Sequence, residues 1–115
     1  MDYTDRLRRL AINDERLADV GIDDPSGSGG LEPKSLALAR IAALVAVGGA
    51  EPSFGAQVDA AISAGSTAAQ VVDVLVGIIP VVGLPRVVAA APKVALALGH
   101  DLEIDVVEFG AEEPR

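Results

Sequence analysis

Ser53 and Gln57 stand four residues apart, so on a helix they share one face and can address the same small molecule. A serine hydroxyl becomes a nucleophile only with a base beside it. A glutamine amide can hold a ligand or polarise a carbonyl, but it cannot shuttle a proton near neutral pH. The ordinary alternative for this pair is local, with Ser53 capping the first turn of its helix and Gln57 solvated or bonded to a neighbour. Arg40 is the one charge in the otherwise apolar stretch LALARIAALVAV. Its first expectation is a structural salt bridge with Asp59, Asp73 or the C-terminal tail across subunits. Its second is bidentate recognition of a substrate carboxylate. Asp59 and Asp73 fall on different helices and are expected to face solvent.

His100 is the only side chain that ordinarily titrates near pH 7, and it follows a glycine at a helix end, which reads as a surface position. One histidine among scattered acids has no metal-site spacing, so neither a metal nor a cofactor is expected. Lys34 and Lys93 show no pattern of a desolvated amine. The PSGSGG run at 25–30 lacks the strand, helix and Lys-Ser pair of a phosphate-binding loop.

The 115 residues contain no cysteine, which removes disulfides, thiolate nucleophiles and cysteine metal sites together. Half of the residues are apolar, yet only Tyr3, Phe54 and Phe109 are aromatic. So short a chain makes one domain, and its positive mean hydropathy exceeds what that domain can hide. Part of the aliphatic surface is therefore expected against another copy of the chain. The net charge of −8 is uneven: residues 1–30 carry seven acids and four arginines, 31–100 four acids and four bases, and 101–115 six acids and Arg115. A neutral body between acidic ends fits neither nucleic acid nor an anionic membrane. The polar start, Met1 to Arg9, lacks the basic-then-apolar order of a secretory signal, so a cytoplasmic location is expected.

The elements that must position these residues read as helices. Residues 2–20 are helical in pattern but arginine-rich, with Asn13 able to cap a second short helix from Asp14. GIDDPSGSGG at 21–30 is a flexible connector. From Leu31 a body of short helices extends to residue 100, with residues 101–115 as an acidic, extended tail. Pro33 sits where a first helical residue needs no N–H. Leu38, Ile41, Val45 and Gly48 mark one face of that helix, and Gly48-Gly49 ends it. Glu51-Pro52 restarts a helix that Gly65 stops. Thr67 and Gln70 have the spacing of a capping box ahead of a broad face of Val71, Val72, Leu75, Val76 and Ile79. Pro80, Gly83 and Pro85 break the chain before a last helix from about Arg86 to Leu98, itself interrupted at Pro92. The longest uncharged stretch there, Val74 to Pro85, has 12 residues, whereas a membrane span needs about 20.

Three of these segments resemble one family. Leu31-Glu32-Pro33-Lys34-Ser35 resembles the LDPKT-type opening of the first core helix in carboxymuconolactone decarboxylase-like and alkylhydroperoxidase D-like proteins. Residues 60–71, AAISAGSTAAQV, resemble their AALEAGAT-x-x-E-I helix, stop and cap, and Val81-Val82-Gly83-Leu84-Pro85-Arg86 resembles their Y-x-G-F-P segment. The likeness covers residues 31–99, about two thirds of the chain. It implies an all-α, alkylhydroperoxidase D-like fold assembling as a homotrimer or homohexamer, with a small-molecule site among the core helices.

The family's functional residues do not carry over. Counting back from Gly65 puts the paired cysteines and the histidine of its thiol peroxidases at Ala50, Ser53 and Gln57. Counting forward from Leu31 puts them at Gly49, Pro52 and Ala56, with the upstream acid at Ala37. Without a thiolate and a resolving thiol, peroxide reduction has no mechanism here. The leading expectation is a retained pocket that binds a small organic molecule, with Ser53, Gln57 and Arg40 as candidates for cofactor-free lyase or isomerase-type chemistry. The rival is a non-catalytic oligomeric structural or interaction protein.

Overall fold

The computed structural model describes residues 2–13 and 30–99, and the chain divides into two compact units, Met1–Glu32 and Pro33–Arg115. In the first unit, α1 (Tyr3–Ala11) starts where Asp2 Oδ1 accepts the Asp5 N–H at 2.9 Å. Asp5 also meets Arg8 at 3.6 Å and Arg9 at 3.4 Å, pairs one turn apart on the exposed side. No residue of α1 is buried. Asn13 takes the left-handed conformation (φ +60°), which asparagine tolerates better than most residues. The second helix expected from Asp14, the connector up to Gly29, His100 and the acidic tail lie outside the described residues.

The second unit contains five helices among the described residues and no strand: α2 (Pro33–Val47), α3 (Glu51–Ser63), α4 (Ala68–Gly77), α5 (Ile79–Val82) and α6 (Leu84–Ala97). The all-α expectation holds. Each longer helix buries a stripe at three- or four-residue spacing: Ala37, Ile41 and Val45 from α2, Phe54, Val58 and Ala61 from α3, Val71 and Leu75 from α4, and Val87, Ala90 and Val94 from α6. The α2 stripe includes Ala37, with Leu38 half-buried at its edge. Phe54, the largest fully buried side chain, is the centre around which these aliphatic residues pack. On the broad apolar side of α4, only Val71 and Leu75 are buried; Val72 and Val76 stay exposed.

The local stops behave as their residue types require. Gly48 has φ +76°, and both Gly48 and Gly49 donate to the Leu44 carbonyl, at 2.9 and 2.8 Å. Gly49 is constrained by space as well, since a Cβ there would lie 2.7 Å from Leu44 Cδ2. Thr67 and Gln70 form the reciprocal capping box at 3.1 Å in both directions.

The last helix differs from its sequence reading. It begins at Leu84, two residues before Arg86, because Pro85 fits the first turn. It also runs unbroken through Pro92. Pro92 and Val88, one turn earlier, both lie on the exposed side, so a carbonyl released by the missing N–H meets water instead of the core. No helix among the described residues is long and apolar enough to cross a membrane.

Candidate functional site

The pairing of α2 with α3 follows from their core stripes, and it leaves the opposite edges of both helices bordering a groove. Arg40, Ala43 and Leu44 line it from α2, at one-turn spacing, and Ser53, Ala56 and Gln57 line it from α3 at the same spacing. Its volume is about 370 Å³. The three polar residues singled out in the sequence therefore share one cavity. Leu44 and Gln57 are half-buried, whereas Arg40 and Ser53 are exposed at the rim.

Ser53 lies in the first turn of α3, where its N–H donates to the Ala50 carbonyl at 3.0 Å. Ala50 is the N-cap, with no side-chain cap. No base stands with Ser53 among the groove-lining residues, so nothing there activates its hydroxyl as a nucleophile. Within the chain Arg40 makes no ion pair with Asp59 or Asp73, and the C-terminal tail lies outside the described residues. Both aspartates are exposed and away from the groove. Of the two family registers, the one counted back from Gly65 contributes Ser53 and Gln57 to the wall and the one counted forward from Leu31 contributes Ala56, and Ala37 at the upstream acid's position is buried in the core. No cluster of three potential metal ligands occurs among the described residues.

Lys93 is the residue that sequence reasoning undervalued. Its Nζ donates to the Gly49 carbonyl at 3.0 Å and stands 5.9 Å from the Phe54 ring centroid. Arg86, two turns earlier on α6, also reaches the α2–α3 loop: a Cβ on Gly48 would lie 3.0 Å from its Nη1. Two cations thus face the carbonyl-rich C-terminal end of α2, the sign that the helix dipole favours. The seven-residue spacing of Arg86 and Lys93 was the available signal, since it puts both on one face of α6. Lys93, by holding the Gly49 carbonyl, steadies the loop that leads into α3, the helix that carries Ser53 and Gln57. On the other side of α3, Lys93 and Glu51 border a second, separate groove of about 340 Å³.

The family model for the carboxymuconolactone decarboxylase family matches residues 13–96, starting ahead of the likeness traced from Leu31. No curated protein and no solved structure matches the chain.

Proposed function

The chain belongs to the carboxymuconolactone decarboxylase family, and from that premise we propose that it binds a small, mostly apolar organic molecule in the groove between α2 and α3. The observation that carries this reading is the convergence of Arg40, Ser53 and Gln57 on one cavity whose remaining wall is Ala43, Leu44 and Ala56. Arg40, with no ion pair to Asp59 or Asp73, supplies a fork for a carboxylate or an enolate oxygen. Gln57 and Ser53 can donate to a carbonyl. These groups suit a cofactor-free lyase or isomerase-type step in which negative charge grows on oxygen. None of them is a proton carrier, so the proton in such a step exchanges with water. A chain without cysteine has no thiol for peroxidase chemistry.

The test is a ¹⁵N-resolved NMR titration of the full chain with benzoate, and with benzamide as the uncharged control. Benzoate is expected to shift the amides of residues 40–44 and 53–57 more than benzamide does. Arg40→Ala is expected to abolish the difference, and Ser53→Ala with Gln57→Leu to weaken binding of both probes. Shifts clustered elsewhere, or unchanged benzoate binding by Arg40→Ala, would sink the reading.

A second reading, a non-catalytic oligomeric structural or interaction protein, is favoured by the exposed Val72, Val76 and Val88. Self-association, as a homotrimer or homohexamer, belongs to both readings.

A further inference from the structure

The groove that Lys93 and Glu51 border has walls of a different kind from the one beside Arg40. Glu51, Pro52 and Gly55 line it from α3, and Lys93, Leu96 and Ala97 from α6, around a volume of about 340 Å³. Each set falls within a single turn, so each is one edge of its helix. Glu51 and Lys93 thus put opposite charges on one groove, yet they do not meet as an ion pair. The Lys93 ammonium is held instead by the Gly49 carbonyl, at 3.0 Å, and lies over the Phe54 ring. An ammonium has three donors, and that carbonyl takes one of them. The others remain for an oxygen that enters the groove.

Gly55 is an independent sign of an occupant. It stands inside α3, where glycine costs helix stability relative to alanine. Its backbone is helical and not left-handed, and a Cβ there would have nothing within 4 Å. Neither a turn nor close packing within the chain calls for glycine at this position. Its missing side chain leaves the floor of the groove open, one turn after Glu51. Leu96, 55% exposed, offers an aliphatic surface on the α6 wall.

We infer that this groove is a second binding site, distinct from the one between α2 and α3, and that its ligand is a small zwitterion, an amino acid with an aliphatic side chain. The ligand's carboxylate takes the remaining donors of Lys93, and its ammonium faces Glu51. Its side chain fills the space over Gly55, against Pro52, Leu96 and Ala97. A ligand with one charge leaves one wall charge unanswered, and a plain anion also meets Glu51. The volume lies at the low end of ligand pockets, about 300–1,000 Å³, which selects for a small molecule. The two charged contacts are unequal. Lys93 is half-buried and already positioned, whereas Glu51 is exposed and screened by water, so the carboxylate contributes more of the affinity.

The inference stands apart from the α2–α3 reading, and its test separates the two. The experiment is a ¹⁵N-resolved NMR titration of the full chain with L-leucine and two analogues, isocaproate without the ammonium and isoamylamine without the carboxylate. L-Leucine is expected to shift amides within residues 51–55 and 93–97. Isoamylamine is expected to bind more weakly by on the order of tenfold, and isocaproate by about threefold. Glu51→Gln is expected to erase the difference between L-leucine and isocaproate. Gly55→Leu sends its side chain into open space, so it is expected to abolish L-leucine binding with an unchanged helical circular dichroism spectrum. The same variant is expected to keep the benzoate shifts at residues 40–44. No saturable shift at millimolar L-leucine, shifts centred elsewhere, or binding that survives Gly55→Leu overturns the site. A single-charge analogue that binds as tightly as L-leucine overturns the zwitterion.

Discussion

The α2–α3 pair and the α4–α6 pair are built from the same small aliphatic residues, yet their outward sides differ in kind. Along the α2–α3 groove the solvent side holds Arg40, Ser53 and Gln57 above an alanine and leucine wall. Along α4 and α6 it holds Val72, Val76, Leu84 and Val88. A body this short has little interior, and three stripes from α2, α3 and α6 around Phe54 fill most of it. Arg40, Ser53 and Gln57 share one groove, while Asp59 and Asp73 lie outside it. Val72, Val76, Leu84 and Val88 are exposed on α4 and α6, while Val47, Ile62, Val81 and Leu96 are exposed elsewhere on the unit. A ligand suits the first arrangement and a protein surface the second.

The largest expected effect tests whether the core centres on α3. Phe54→Ala is expected to cost about 3–5 kcal/mol in urea unfolding, a large share of the roughly 5–15 kcal/mol that holds an ordinary domain folded. Two adjacent residues then sharpen the contrast across α4. Leu75→Ala, at 6% exposure, is expected to cost about 2–5 kcal/mol, whereas Val76→Ala, at 60%, is expected to stay within about 0.5 kcal/mol in urea unfolding. Equal losses at the two positions would erase the distinction between the buried stripe and the outer face.

Gly49→Ala probes the hinge of the polar groove. Its Cβ would press on Leu44 at 2.7 and 3.2 Å, so a cost of about 1–3 kcal/mol in thermal unfolding is expected, along with a groove reshaped because Leu44 is its wall. Lys93→Met is expected to cost about 1 kcal/mol by removing the hydrogen bond to Gly49 and the contact over Phe54, with faster amide exchange at the start of α3 as the local readout. Asp5→Asn comes last. The Asp5 pairs on α1 are solvent-screened, so no change beyond about 0.5 kcal/mol is expected, and less at high salt.

What the residues determined by themselves is the grammar of the helices. Prolines that need no N–H, glycines that end helices and a Thr–Gln capping box act within four residues of their partners, so Pro33, Gly48, Gly65, Thr67 and Gln70 mark their boundaries without any fold. Family membership was legible for the same reason, since those signals recur in order. The spacing of Ser53 and Gln57 likewise foretold a shared face. Only the tertiary structure decided what lay across from that face. It put Arg40 on the same groove instead of in a salt bridge with Asp59 or Asp73, and it aimed Lys93 at a carbonyl 44 residues away. It also allowed Pro92 inside a helix by placing it on the exposed side, and it divided the valines of α4 between core and surface. These outcomes depend on how helices distant in sequence pack, and periodicity along one helix carries no information about its neighbour.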